Sequence, residues 1–146
     1  MSSVVAEPTP LQAVFSMGTL LVGGVAALDK IELLLRSFKF RFCSESDLQN
    51  GIEAALNRRE VAFERERTLS VSDRPDFLIP CLEGSIAIEV KTKGTFPEAL
   101  RQVARYAGHE RVVGVVLIGS PIWVSRMPAE ITGTPIRSVR LMTSFA

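Results

Sequence analysis

Two short stretches decide the fold of this 146-residue chain. The first reads RPDFL at 74–78, and the second reads IAIEVK at 86–91. Between them, Glu83 and Gly84 predict a tight turn, so that strands at 76–79 and 85–93 form an antiparallel hairpin. The rest of the fold can be built outward from this hairpin.

The second strand of the hairpin has two different faces. Because side chains alternate along a strand, Ile86, Ile88 and Val90 share one face. The opposite face carries Ala87, Glu89, Lys91 and Lys93. Charged side chains are rarely buried unless they are paired or bind a metal. A strand this apolar that also projects a Glu and a Lys therefore indicates a site.

Antiparallel pairing brings Asp76 on the first strand close to Glu89 on the second. Two converging carboxylates repel each other, and a divalent cation relieves that repulsion. Oxygen ligands of this kind favour Mg²⁺ or Mn²⁺. Lys91 lies beside them and supplies a positive charge for an attacking water or a phosphate.

A helix upstream supplies a third acidic candidate. Ser44 is a good N-cap for a helix at 44–58 whose apolar stripe comprises Leu48, Ile52, Ala55 and Leu56. Glu45 falls within that stripe, whereas Gln49 lies about 40° and Glu53 about 80° from its centre. All three are candidates for the site, and Asp47 points the opposite way.

The remaining elements complete an α-β-β-β-α-β order. A strand is predicted at 61–69, and Pro97 starts a helix that ends near Gly108. The apolar run at 112–118 predicts a buried central strand, and 136–142 predicts an edge strand. The fold class is α/β, with a mixed central sheet flanked by helices.

Composition limits the alternatives. The net charge of +1 argues against a protein that holds nucleic acid by bulk charge alone. Cys43, Cys81 and His109 cannot assemble a zinc site, so the cysteines are expected to be reduced thiols in a cytoplasmic protein. His109 and Trp123 are expected to be structural.

The N-terminal part reads differently from the rest of this single domain. Residues 1–10 resemble a flexible tail, and 9–28 carry no charge. Glycines and polar residues interrupt the uncharged run, so we expect no membrane span. We divide the chain into 1–43, with an apolar segment at 11–35 that is a candidate dimer interface, and a region at 44–146 that carries the predicted site.

Taken together, the PD dipeptide, the 13-residue gap, the ExK triplet and the acidic helix resemble the PD-(D/E)XK nuclease superfamily, over about 44–119. The resemblance implies a restriction-endonuclease-like core in which Asp76 and Glu89 ligate the metal. The Val90 carbonyl is a further ligand, and Glu45 is the helix-borne acid and metal ligand. It also implies that Lys91 positions or activates the water.

The following helix adds a second resemblance. Gln102 and Tyr106 look like the QxxxY motif of the exonuclease-type branch, in which the pair lies near the site and the DNA. Positions i and i+4 share a helix face. Leu100, Ala104 and Ala107 form a different, apolar face, so neither residue of the pair needs to be in the core.

Three cations around the predicted site have no adjacent acid in the sequence, and phosphate contacts are their natural use. They are Lys93, Arg101 and Arg105.

The functional expectation is a Mg²⁺-dependent DNA endonuclease or exonuclease, with Mn²⁺ as a second metal and a homodimer as the simplest way to cut two strands. One alternative is an inactive nuclease fold that binds DNA or protein. Another is a protein unrelated to nucleic acid, in which these charges are surface ion pairs.

Overall fold

The structure is a computed structural model that describes residues 23–142. It contains helices α1 (Gly24–Arg36), α2 (Glu45–Arg58) and α3 (Phe96–Ala107). The strands are β1 (Glu64–Arg65), β2 (Phe77–Cys81), β3 (Gly84–Lys91), β4 (Val112–Gly119), β5 (Glu130–Ile131) and β6 (Thr134–Arg140), and a 3₁₀ helix covers Ile122–Arg126.

All six strands form one mixed sheet in the order β1-β2-β3-β4-β6-β5. The three central strands β3, β4 and β6 are parallel, and the outer pairings are antiparallel. Helices α1 and α2 cover one face of the sheet, and α3 covers the other. The predicted mixed α/β sheet with flanking helices is confirmed.

The predicted central hairpin forms, but its turn is one residue earlier than predicted and β3 ends at Lys91 rather than at 93. A two-residue turn at 82–83 joins β2 to β3, and Phe77 pairs with Ile88. This register places Ile88 among the side chains that face α1 and α2, and Ala87 among those that face α3. One more step along the pairing sets Asp76 opposite Glu89, at the end of the hairpin away from the turn.

Both helices that flank the hairpin start at capped residues. The Ser44 hydroxyl accepts a hydrogen bond from the Asp47 amide at 3.0 Å, and the Thr95 hydroxyl accepts one from the Glu98 amide at 3.4 Å. The predicted apolar stripe of α2 is buried in full. Helix α2 is thereby fixed against the sheet with its first turn at the end of β3.

Two strand predictions are wrong in their extent or position. The strand expected at 61–69 is reduced to β1, because Glu60 and Glu66 adopt positive φ angles of 56° and 55° that interrupt extended backbone. The strand expected at 136–142 is β6, which lies between β4 and β5 and so is not an edge strand.

Helix α1 belongs to the same core as the predicted nuclease-like region. Its apolar face, including Leu28, Ile31 and Leu35, is fully buried against the sheet. The tail at 1–10 and the part of the apolar segment at 11–22 lie outside the described residues, and dimerisation through that segment stays a prediction.

Two further observations concern the expectations from composition. Cys43 and Cys81 are both free thiols. Within residues 23–142, no helix combines the length and the apolar character that a membrane crossing requires.

Candidate active site

The charged residues of the hairpin meet where β2 begins and β3 ends. The Asp76 Oδ2 atom accepts a hydrogen bond from the Val90 amide at 2.7 Å. Across the same edge, the Lys91 Nζ atom lies 3.5 Å from the Glu89 Oε2 atom. Glu89 is only 4% exposed, so a carboxylate is held almost entirely out of water beside a second one. This cluster of Asp76, Glu89 and Lys91 is the core of the candidate site.

Helix α3 contributes a chain of hydrogen bonds that ends on Glu89. The Gln102 side-chain amide donates to the Tyr106 hydroxyl at 3.0 Å, and that hydroxyl donates to the Glu89 Oε1 atom at 3.0 Å. The chain fixes the orientation of the Glu89 carboxylate. Gln102 therefore contacts Tyr106, and only Tyr106 contacts the acidic cluster directly.

The expectation that the pair lies off the apolar face of α3 is wrong for Tyr106. Its side chain is 1% exposed, and the buried face of α3 contains Ala99 and Val103 rather than Leu100 and Ala104. The physical reason is that a tyrosine ring can pack in the core while its hydroxyl reaches a polar partner. Here Glu89 is that partner.

The surroundings of the Asp76 carboxylate raise its pKa. Burial raises the pKa of Asp76 to about 6, and the charges of Glu45 and Glu66 add to the rise. The Val90 amide and the Lys91 ammonium act in the opposite direction without cancelling it.

The effect on Glu89 is larger. Burial raises the pKa of Glu89 to about 8, and the adjacent charge of Asp76 contributes further. Burial together with the Glu89 carboxylate also raises the pKa of Tyr106, which keeps its hydroxyl a donor. Burial therefore makes both carboxylates costly to ionise in the folded protein.

The three candidate residues on helix α2 contact different partners. The Glu45 Oε1 atom accepts from the Thr92 amide at 3.0 Å, just after β3. The Gln49 amide donates to the Asp76 Oδ1 atom at 2.9 Å. Glu53 instead pairs with Arg65 at 2.7 Å. Gln49 thus contacts the acidic pair directly, Glu45 lies at its margin, and Glu53 serves the contact between α2 and β1.

Whether this cluster suits a divalent cation can be judged from its donor atoms. Among residues 23–142, no three side chains of His, Cys, Asp or Glu lie close enough to form a metal-binding group. However, Mg²⁺ is commonly held by one or two carboxylates together with waters and substrate phosphates. Asp76 and Glu89 offer such a pair, and burial, the main cause of their raised pKa values, makes their negative charges costly. The residues present fit a magnesium ion.

The three predicted phosphate-binding cations differ in their surroundings. Lys93 and Arg101 are both exposed. Lys93 lies two residues before Thr95, the N-cap of α3, and Arg101 lies on α3 itself. Arg105 instead donates from Nε to the Asp73 Oδ1 atom at 2.8 Å. Its guanidinium therefore has a structural partner that the sequence interpretation did not assign.

Asp73 is the centre of a second polar cluster, 6% exposed, that ties the loop before β2 to the end of α3. The His109 Nε2 atom lies 2.9 Å from Asp73 Oδ2, and the Ser70 hydroxyl donates to the same oxygen at 3.3 Å. Burial alone would raise the pKa of Asp73, but the hydrogen bonds from His109, Arg105 and Ser70 hold it below its ordinary value. We call Asp73, Arg105, His109 and Ser70 the Asp73 clasp.

Sequence reasoning did not identify the contact of Gln49 with Asp76, nor the role of Asp73. Gln49 carried a signal, because it lies one helical turn after Glu45 and close to the buried stripe of α2. Asp73 carried none, since an Asp among Ser, Arg and Pro is typical of a surface turn.

The cavity on this side of the sheet lies away from the acidic pair. It measures about 700 Å³ and extends along β2 and β3 toward the hairpin turn, with Leu78, Ser85, His109 and Arg111 among its lining residues. Neither Asp76 nor Glu89 lines it. The candidate site is therefore a polar edge of the sheet rather than an enclosed pocket.

Comparisons of this chain with protein-family models, with curated proteins and with solved structures find no match.

Proposed function

We propose that this protein is a metal-dependent nuclease of the PD-(D/E)XK type that hydrolyses phosphodiester bonds in DNA. A single observation carries the proposal. The half-buried Asp76, just before β2, and the buried Glu89 on β3 lie side by side with Lys91 at 3.5 Å from Glu89, and both carboxylates have raised pKa values. Paired titratable groups displaced this far from their ordinary pKa values are typical of functional sites.

The order of elements supports the finer fold assignment. From residue 44 the chain runs α2-β1-β2-β3-α3-β4, which is the α-β-β-β-α-β order expected of a restriction-endonuclease-like core. Within this core the acidic pair lies on the central hairpin, and the QxxxY pair lies on the helix that follows. The order of elements and the placement of these side chains support the proposal.

The residues take separate roles in this proposal. Asp76 and Glu89 would hold Mg²⁺ or Mn²⁺, with the Val90 carbonyl as a further ligand, while Glu45 stays at the margin of the site on the Thr92 amide. When bound, the cation stabilises the negative charge that develops on the phosphate and acidifies the attacking water. Lys91 orients that water or contacts the phosphate through its ammonium group.

Other side chains hold this arrangement in place. Tyr106 donates to Glu89 and so leaves its second oxygen, Oε2, facing Lys91. Gln102 orients the tyrosine hydroxyl. Gln49 and the Val90 amide each occupy one oxygen of Asp76 and fix its plane. These contacts preorganise the site before any substrate arrives.

A cleavage assay with three variants tests the proposal. We expect the wild-type protein to cut at least one of linear duplex, single-stranded, nicked or branched DNA in Mg²⁺ or Mn²⁺, and to stop in EDTA. D76N, E89Q and K91A should each lose at least about a hundredfold in rate, because each removes a group that acts on the metal or the reacting phosphate. E110Q, which neutralises an exposed acid outside the site, is the matched control and should cut normally.

Thermal unfolding of each variant shows whether it is folded. Cleavage at the wild-type rate by folded D76N and E89Q would contradict the assignment of the site. DNA binding by the wild-type protein without cleavage of any substrate in either metal would favour the inactive, DNA-binding alternative.

A further inference from the structure

The segment that joins α1 to α2 alternates between aromatic and basic residues, reading FKFRF at 38–42. Phe38, Phe40 and Phe42 are partly buried and pack against the core, whereas Lys39 and Arg41 are exposed. The phenylalanine rings anchor the segment to the protein. Its two cations are thereby presented to solvent.

The anchoring is close at Phe40. A Cβ atom on Gly51 of α2 would meet the Cδ1 atom of Phe40 at 3.2 Å, so the absence of a side chain at Gly51 makes room for the ring. Phe38 is covered on one side by the Arg59 guanidinium, 5.2 Å from its ring centroid. These rings are engaged by the protein, so the exposed chemistry of the segment is its positive charge.

The same segment lines a cavity of about 440 Å³ that carries only positive charge. Its charged lining residues are Arg36, Lys39, Arg41 and Arg140, and no carboxylate lines it within residues 23–142. We call these four residues the basic edge. Arg36 is paired with Glu32 at 3.0 Å, and no carboxylate in the described part of the chain pairs with the other three. The Nε atom of Arg140 is buried without a hydrogen-bond partner there.

The basic edge lies on the edge of the sheet that carries the candidate site. Lys91, Gly119 and Arg140 are in register at the ends of the parallel strands β3, β4 and β6. With adjacent strands about 4.8 Å apart, the Cα atoms of Lys91 and Arg140 lie about 10 Å from each other. This separation equals the rise of about three base pairs of duplex DNA, at about 3.4 Å for each phosphate of one strand.

The joining segment spans this edge from one side to the other. At its start, the Arg36 Nη2 atom donates to the Ser138 carbonyl of β6 at 2.8 Å. Just past its end, Glu45 accepts from the Thr92 amide that follows β3. Lys39 and Arg41 therefore lie between β6 and the acidic pair, on the path toward the site.

We propose that the basic edge binds the phosphate backbone of the DNA strand whose scissile phosphate lies at Asp76 and Glu89. The inference rests on the proposed nuclease function and adds how the substrate is held. Its Lys and Arg side chains contact phosphates in this proposal, and phosphate contacts position DNA without reading its sequence. It also explains how a chain of nearly zero net charge can bind DNA, since the charge is concentrated locally.

Equilibrium binding without cleavage tests this inference. The affinity of wild-type protein for a fluorescein-labelled 20-base-pair duplex is measured by anisotropy in EDTA at several NaCl concentrations. The same series is run on K39A/R41A and on a control, R58A/R111A, which removes two exposed cations away from this edge. Arg36 is left in place because it donates a hydrogen bond to the Ser138 carbonyl of β6, and Arg140 because its Nε atom is buried.

We expect K39A/R41A to bind about tenfold more weakly at 0.1 M NaCl. The slope of log affinity against log salt should fall by about 2, since each lost phosphate contact contributes about 0.9 on duplex DNA. A second duplex of unrelated sequence should show the same loss. R58A/R111A should match the wild-type affinity and slope.

The outcomes separate this inference from the proposed function. If the wild-type protein cleaves DNA and K39A/R41A keeps its affinity and salt slope, the inference is overturned while the nuclease proposal stands. An equal loss in both double variants overturns it as well, because the effect is then one of total charge. If the wild-type protein neither binds nor cleaves any DNA, both proposals fail.

Discussion

Two buried acids, Asp73 and Glu89, differ in how the protein compensates their charge. Within residues 23–142 they are the two charged side chains that are buried. Asp73 receives hydrogen bonds from Arg105, His109 and Ser70, and its pKa is lowered. Glu89 has one hydroxyl donor and one lysine but faces Asp76, and its pKa is raised.

The difference indicates what each acid contributes. A fully paired buried acid joins parts of the structure, and the Asp73 clasp joins a loop to a helix. An acid buried next to another acid costs folding free energy, and such costs are typical of sites that bind something. On this reasoning Asp73 is structural, whereas Glu89, whose charge Lys91 compensates only in part, is a candidate functional acid.

The largest effect on stability should come from breaking the clasp. We expect D73N to lower the free energy of unfolding by about 2 kcal/mol, because charge-assisted hydrogen bonds to Arg105 and His109 are lost at a buried position. Urea unfolding at pH 7 measures this loss. The folded fraction should cleave DNA within about twofold of the wild-type rate.

The exposed acid Glu110 provides the control for this change. E110Q should alter the free energy of unfolding by less than about 0.5 kcal/mol. A D73N protein that is as stable as the wild type, or one that is stable and inactive, would contradict the contrast drawn between the two acids.

A smaller effect should follow from adding metal. If Asp76 and Glu89 hold Mg²⁺, the cation stabilises the folded state by about 1.4 kcal/mol when its free concentration is about ten times its dissociation constant. Thermal unfolding with and without MgCl₂ measures this gain. The double variant D76N/E89Q should show no gain, and an equal gain in both proteins would place the cation elsewhere.

A further effect concerns pH in the absence of metal. Since the pKa of Glu89 is about 8 in the folded protein and near 4.5 when unfolded, the folded state retains a proton that the unfolded state releases. Its contribution is therefore complete below about pH 4.5 and is lost as pH rises toward 8. Asp76 acts in the same direction, up to about pH 6.

We therefore expect the unfolding free energy of E89Q to fall less steeply between pH 5 and 8 than that of the wild type, so that at pH 8 E89Q is the more stable by at least about 1 kcal/mol. Urea titrations in EDTA at fixed ionic strength measure both curves. The groups facing Glu89, namely Asp76, Lys91 and Tyr106, remain in this variant, so the change reports Glu89 itself. If the unfolding free energies of wild type and E89Q ran parallel from pH 5 to 8, the pKa of Glu89 would not be raised in the folded protein.

Much of the fold could be predicted because its signals are local. The N-cap Ser44, the stripe of α2 and the alternation along β3 each follow from a period that a single element imposes on its own side chains. The tight turn then fixes the register of β2 and β3, so that the proximity of Asp76 and Glu89 follows from the sequence as well.

Features that depend on remote contacts could not be predicted. The local sequence at 61–69 does not predict that Glu66 adopts a left-handed backbone conformation and that β1 ends after two residues. The sequence around Asp73 likewise does not predict a hydrogen bond with His109, 36 residues later. The same holds for Tyr106, whose burial depends on Glu89 being present to accept its hydrogen bond.

The sequence by itself therefore determined the α/β class, the order of elements from α2 to β4 and the meeting of an Asp, a Glu and a Lys on one hairpin. Only the tertiary structure decided that Gln49 contacts Asp76, that Arg105 is held by Asp73, and that Lys39 and Arg41 follow the edge of the sheet toward the site. The physical reason is that periodicity specifies which face a side chain takes within its own element. Which charges meet across elements depends on how those faces pack, and burial then sets what each charge costs.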